Sequence, residues 1–267
     1  MTSREARLVL IGGGNMGSAL LGGLIASGWA PSDIVVVEIS EEKRAQLEAT
    51  HGVRTSAVVV AGEGALVAVK PGDVASVCAE LAAVGVSRIV SIAAGISVAR
   101  LQQASSPTTA VIRAMPNTPA LVGEGITALC PGATCTPDDV VWAESLMRAV
   151  GVVVRISEDD MDAFTAVAGS GPAYVFRLAE SLLASGVEHG LAPEVADAIV
   201  RQLFKGSGVL LFDSQDSPAE LRQKVTSPNG TTAAGLAEFE SARFSETVNK
   251  VVSAAAKRSA EMTRELS

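Results

Sequence analysis

The chain has 267 residues, 3% aromatic content and a formal net charge of −8. That acidity argues against nucleic acid and anionic membrane surfaces as partners, because both select basic patches. The length allows one large or two modest domains, and a 48% hydrophobic content drawn mostly from Ala, Val, Leu and Gly suits close-packed α/β layers. Cys78, Cys130 and Cys135 have no metal-ligand spacing and read as reduced thiols, so no metal is expected. No apolar run approaches a membrane span, and the first residues lead directly into a strand without a secretory core. The expectation is a cytoplasmic chain with a small-molecule partner.

In chain order, the apolar run 7–11 predicts a buried parallel strand. It enters Gly12-Gly13-Gly14-Asn15-Met16-Gly17, which fits G-x-G-x-x-G through Gly12, Gly14 and Gly17. Ala19, Leu20, Leu21, Leu24 and Ile25 recur at helical spacing, Gly28 stops the helix, and Ile34–Val37 predicts a second strand ending at Glu38. A glycine motif alone is a tight turn more often than a cofactor site. Its place between strand and helix, with an acid after the next strand, points to dinucleotide binding. The pyrophosphate would sit on the helix N-terminus at Asn15 and Met16, where unpaired N–H groups and the helix dipole favour negative charge. Glu38 would accept from the adenosine ribose and repel a 2′-phosphate, favouring NAD. Ser40, Lys43 and Arg44 follow closely and offer either a phosphate site or a solvated helix face.

Residues 58–64, VVVAGEG, are irregular. A strand over 65–69 delivers Ala68-Val69-Lys70-Pro71 to the carboxyl edge of the sheet, where open α/β proteins bind ligands. Val74–Ala83 predicts a helix, and 88–92 a strand followed by Ala93-Ala94-Gly95. These small residues leave room for a flat ring, or serve packing. Helix Val98–Ala104 and strand Ala110–Met115 precede the rigid turn Met115-Pro116-Asn117-Thr118-Pro119. Asn117 there could orient a ligand or bond its own backbone. Strands over 126–130 and 152–156 flank a helix over 137–150.

Near Ser157 the strand patterns stop, placing a boundary between domains 1–157 and 158–267. Residues 162–188 predict one long helix kinked at Gly169-Ser170-Gly171-Pro172. Helices over 193–212, 218–225, 231–240 and 245–266 follow. The breaker Ser227-Pro228-Asn229-Gly230 feeds Thr231 and Thr232, a hydroxyl-rich helix start that is either a plain capped connection or a carboxylate site. His51 and His189 lie in no motif and carry no catalytic expectation.

Five stretches carry a resemblance: GGGNMG at 12–17, AVKP at 68–71, MPNTPALVGEGITAL at 115–129, AVAGSGPAYVF at 166–176 and PAELRQKVTSPNGTTAAGLAEF at 218–239. Together they resemble the pyrroline-5-carboxylate reductases from the first strand to the last helix. The resemblance implies an α/β fold, with an N-terminal Rossmann dinucleotide-binding domain and an all-helical C-terminal dimerisation domain. It implies reduction of L-1-pyrroline-5-carboxylate to L-proline, the last step of proline biosynthesis, with NADPH as cofactor and NADH as the alternative. Gly12, Gly14, Asn15, Met16, Gly17, Glu38, Ala68, Val69, Lys70, Pro71, Ala93, Ala94, Gly95 and Asn117 would then face the cofactor. Ser227, Gly230, Thr231 and Thr232 would hold the substrate, with the Thr232 hydroxyl reaching the ring nitrogen as the catalytic group. Asn229 stands where many relatives have Gly. The implied partner is a second copy, in a homodimer or a larger ring of dimers, with segment 218–239 serving the partner's cofactor. A related imine or hydroxyacid dehydrogenase and a non-catalytic dinucleotide sensor are the competing readings. The absence of lysine from 162–188 counts against a hydroxyacid enzyme, and the intact Ser227–Thr232 turn counts against a sensor.

Overall fold

Alternation within β1 (Leu8–Ile11) sets two apolar layers. All four residues are buried; Leu8 and Leu10 join one core cluster while Val9 and Ile11 join another, as a period of two along a strand requires. The computed structural model describes residues 6–266. β1, β2 (Ile34–Val37), β3 (Arg54–Ser56), β4 (Ala65–Val67), β5 (Arg88–Ser91), β6 (Ala110–Met115), β7 (Gly125–Pro131) and β8 (Gly151–Arg155) form one sheet in the order β3-β2-β1-β4-β5-β6-β7-β8. The strands are parallel except that β7 runs antiparallel to β6, Met115 opposing Ala128. The first six strands reproduce the doubly wound order of dinucleotide-binding proteins.

Helices cover both faces. Leu20, Leu21 and Leu24 of α1 (Asn15–Ala26) and Ala143, Leu146 and Met147 of α5 (Pro137–Arg148) pack with Leu8, Leu10, Leu66 and Ile112. α2 (Glu41–His51) adds Leu47 to that layer. On the opposite face, Val74, Cys78 and Leu81 of α3 (Val74–Ala83) and Leu101 of α4 (Val98–Ala104) cover Val9, Val67 and Ile89. β3, which sequence periodicity does not signal, is a three-residue strand whose residues are only partly covered. Residues 58–64 contain no helix; they cross back through a bridge between Ala6 and Gly62.

The long helix expected over 162–188 is two elements. α6 (Met161–Phe164) runs into a π-helical turn, Thr165–Gly169, closed by Ser170 N–H donating to the Thr165 carbonyl at 2.8 Å. α7 (Gly171–Glu188) then starts anew. Pro172 therefore sits in the first turn of a helix, where a missing N–H costs nothing, rather than kinking an interior. The described chain divides into two compact units, one running to Ser170 and resuming at Ala255, the other comprising Gly171–Ala254. Compact contact thus continues past Ser157, because Met161 and Ala166 are fully buried and Met161 packs with Ala128 and Cys130 of β7.

The second unit holds α7, α8 (Pro193–Asp213), α9 (Pro218–Lys224), α10 (Thr231–Ser241) and the first half of α11 (Phe244–Leu266). α7 and α8 pack together across a turn in which Gly190, at φ 95°, permits the Leu191 N–H to reach the Gly186 carbonyl. Phe176, Leu182, Leu203, Leu210 and Phe212 are exposed along these helices. An apolar groove of about 550 Å³ is lined by Tyr174, Leu178, Phe204, Phe244 and Val248 among others. Among the described residues, no helix is long and apolar enough to cross a membrane.

Candidate functional site

The glycine turn is built by close approach. A Cβ on Gly17 would lie 2.1 Å from the Gly12 carbonyl oxygen, so α1 can pack against β1 only with glycine there. Gly12 adopts φ 100°, and a Cβ on it would meet the Ala68 carbonyl oxygen at 2.6 Å. A Cβ on Gly14, by contrast, would meet nothing within 4 Å: that glycine faces open space at the start of α1. No side chain caps α1 and its first turn carries no acid. Its leading N–H groups are left available to an external anion, the arrangement that a dinucleotide pyrophosphate uses.

Gly12, Gly14, Glu38, Ala68, Val69 and Lys70 line a single cleft of about 680 Å³ at the carboxyl ends of β1, β2 and β4. Asn15 lines a smaller recess beside it, Met16 packs toward the core, and Pro71 faces a separate recess next to Ile96. Gly17 is buried as the packing contact just described. Ala93 is buried in the core, while Ala94 is half-buried. Gly95, at φ 77°, lies beneath the C-terminal end of α11, where a Cβ would come within 2.9 Å of Leu266 Cδ1. Asn117 is buried, and both ends of its amide are engaged: Nδ2 donates to the Ala168 carbonyl at 3.1 Å and Oδ1 accepts the Ile126 N–H at 2.9 Å. The sequence leaves two uses open to this amide, a ligand contact or a bond to its own backbone; the structure leaves neither end free, and the amide turns inward to backbone at Ala168 and Ile126.

Glu38 also faces inward. Its carboxylate accepts from the Gly13 N–H and the Ser40 N–H, both at 3.0 Å. Burial works against its charged form, but these two backbone donors and the nearby Lys43 outweigh it and hold the carboxyl below the usual glutamate range. Arg44 donates through Nη1 to the carbonyls of Glu38 and Ile39, and Ser40 caps α2 by accepting the Lys43 N–H. Lys43 remains exposed on the rim of the cleft. Sequence reasoning passed over Ile39, which is 88% exposed, and Val58, Val59 and Val77; all four line this cleft as its apolar wall. An isoleucine directly after the acid that follows β2 was the available signal.

In the second unit, Asn229 takes φ 59° and lets the chain turn so that the Gly230 N–H reaches the Ser227 carbonyl at 3.0 Å. Asparagine tolerates this left-handed conformation better than most residues. α10 begins at Thr231 with Gly230 as an N-cap that supplies no side-chain bond. Ser227, Thr231 and Thr232 are exposed around this uncapped helix start, so hydroxyls and unpaired N–H groups gather at one point. His51 ends α2 beside the small recess, and the His189 ring lies 2.8 Å from the Ser185 carbonyl oxygen at the end of α7. Among the described residues, no group of three or more His, Cys, Asp or Glu side chains is placed to hold a metal ion.

A doubly wound sheet with an open glycine cradle, followed by a helical unit, defines a dinucleotide-binding protein of the Rossmann class. Residues 7–95 match the model for NADP oxidoreductase, coenzyme F420-dependent, and residues 158–262 match that for pyrroline-5-carboxylate reductase dimerisation. The chain is 41% identical to the pyrroline-5-carboxylate reductase of a Synechocystis species, over 96% of this chain and 98% of that protein. Its structure resembles that of a pyrroline-5-carboxylate reductase from Coxiella burnetii, with a TM-score of 0.92, 34% identity and coverage of 97% and 99% of the two chains. It also resembles the Plasmodium falciparum pyrroline carboxylate reductase solved with NADP bound, with a TM-score of 0.85, 29% identity and coverage of 97% and 98%. This chain belongs to the pyrroline-5-carboxylate reductase family.

Proposed function

We propose that the chain reduces L-1-pyrroline-5-carboxylate to L-proline as the last step of proline biosynthesis, using NADPH, with NADH as the second donor. The observation that carries this reading is the family membership, joined to two anion cradles of the expected chemistry on one chain. One is the open glycine turn at Gly12, Gly14 and Gly17. The other is the helix start at Ser227, Gly230, Thr231 and Thr232.

The residues present fit a dinucleotide: only glycine fills the Gly12 and Gly17 positions, and Gly14 leaves space where a pyrophosphate would approach. When bound, the reduced nicotinamide supplies a hydride, two electrons that convert the C=N bond to C–N while the ring nitrogen takes or keeps a proton. Ala68, Val69, Lys70 and Pro71, with Ala93, Ala94, Gly95 and the loop at Asn117, form the edge of the cofactor site. Asn15 and Met16 present the α1 start to the pyrophosphate, and Ser40 and Lys43 lie where a 2′-phosphate would reach. The hydroxyls of Ser227 and Thr231 and the unpaired N–H groups of the first α10 residues, presented by the turn at Gly230, hold the substrate carboxylate. The Thr232 hydroxyl bonds the ring nitrogen and fixes its orientation. A cyclic imine is basic enough to protonate near neutral pH, so no strong general acid is needed. Catalysis rests on orientation, with the reacting atoms held roughly 3–3.5 Å apart.

The exposed apolar helices of 158–267, the domain we assign to substrate binding and dimerisation beside the dinucleotide domain 1–157, support a homodimer; the reading places it in the cytoplasm, as a single dimer or a ring of dimers. The test follows absorbance of NADPH and NADH with pyrroline-5-carboxylate, alongside light scattering for mass. Substrate-dependent oxidation by a species of at least two subunits is expected. No oxidation of either cofactor would favour a dinucleotide sensor.

A further inference from the structure

Asn117 stands two residues past the end of β6, at the carboxyl edge of the sheet, yet the residue is only 8% exposed. Its amide orientation is fixed by its partners: a backbone N–H from Ile126 can only meet oxygen, and a backbone carbonyl at Ala168 can only meet NH₂. The Ala168 carbonyl belongs to the π-helical turn Thr165–Gly169. Such turns break the helical ladder and recur at functional sites. This one is held from two sides. The Asn117 amide grips Ala168, and Gly169 abuts Met115, the last residue of β6, so closely that a Cβ would lie 3.1 Å from Met115 Cε. β6 lies beside β5, whose chain continues into Ala93, Ala94 and Gly95. Ligands of doubly wound sheets bind outside these carboxyl ends.

We propose that Asn117 is a positioning residue, whose amide clamps the Ala168–Gly169 turn against the end of β6 so that the turn forms a fixed wall beside the reacting ring of the cofactor. The role rests on the reductase reading above and deepens it. Asn117 acts through the turn and does not itself bind the dinucleotide. Asn117→Asp keeps the acceptor for the Ile126 N–H and removes the donor to Ala168; Asn117→Ala removes both.

The test measures kcat, cofactor Kd and binding stoichiometry by fluorescence, and amide hydrogen exchange across 165–170, on the full-length protein. In Asn117→Asp, kcat is expected to fall roughly tenfold to a hundredfold, the scale on which misplacement of about 1 Å acts. Cofactor Kd should change less than threefold, stoichiometry should hold, and exchange at Ser170 should quicken. A fall in stoichiometry parallel to kcat would show a merely structural loss and overturn the proposal. A rise in Kd with kcat preserved would do the same by showing direct cofactor contact. Unchanged exchange would remove the clamp itself. Inactivity of the wild type with both cofactors is a separate result that removes the reductase reading, and the exchange measurement stands apart from it.

Discussion

The carboxylate of Glu38 closes on the backbone of Gly13, accepting its N–H at 3.0 Å across 25 residues of sequence. The same group takes the Ser40 N–H, so one buried acid ties the glycine turn to the start of α2. Two donors that an external phosphate could use are already engaged by a resident negative charge.

Cofactor choice should therefore respond to Glu38. In Glu38→Gln, which keeps an acceptor and removes the charge, the ratio of kcat/KM for NADPH over NADH should rise roughly tenfold, about 1.4 kcal/mol. The change should come mainly from KM for NADPH. Equal losses with both cofactors would mean that Glu38 serves only to hold the turn.

The same residue sets an acid limb. The folded carboxyl titrates below its ordinary value, so its contribution to stability is complete above the unfolded glutamate pKa. That contribution is lost as pH falls from the ordinary carboxylate range through the lowered folded value. Chemical denaturation between pH 7 and pH 3 should show wild type and Glu38→Gln converging as the solution becomes acidic.

Gly14 and Gly17 should separate binding from folding. Gly17→Ala places a methyl 2.1 Å from the Gly12 carbonyl oxygen and should lose about 1–3 kcal/mol of stability. Gly14→Ala meets nothing within 4 Å; Tm should stay near wild type while cofactor Kd weakens. Thermal unfolding and cofactor titration on the two variants decide the matter. A reversed pattern would mean that the cradle is assigned the wrong way round.

Thr232→Ala should lower turnover at least tenfold, with cofactor Kd within a factor of two of wild type, as the proposed role of the hydroxyl at the ring nitrogen requires. Parallel losses in turnover and cofactor affinity would place Thr232 elsewhere.

An ion pair enclosed on one side gives an asymmetric prediction. Arg113 on β6 is enclosed and pairs with Glu158, whose side chain is 36% exposed and whose second oxygen also accepts the Val98 N–H at the start of α4. Glu158→Gln leaves the enclosed guanidinium without its counter-charge and should cost about 1–3 kcal/mol. Arg113→Met leaves a carboxylate that can reach water and should cost less, as urea unfolding midpoints would show. The neighbouring Cys130 thiol is pushed up to about 11 by burial first and the Glu158 charge second. It should resist alkylation at pH 8 in the native protein.

Much of the fold is legible in the chain because its causes are local. Strands buried on both faces read as unbroken apolar runs, and the turn after β1 needs glycine where backbone meets backbone. The helical second half announces itself when period two gives way to longer spacing. The turn at Ser227–Thr232 is equally local: a breaker, a residue that tolerates positive φ, and a helix start without a cap. Other features were beyond the sequence because their partners are remote along it. Asn117 meets Ala168 across 51 residues, and Arg113 meets Glu158 across 45. Whether an amide in a loop faces a ligand or its own fold depends on what the sheet brings alongside. The break at Ser170, where one long helix with a kink at 169–172 was expected, has the same origin: the turn before it is fixed by contacts with β6 and with the buried Asn117 amide. Local chemistry chose the elements and the kind of site; only the assembled sheet decided which polar side chains were left free to face a ligand.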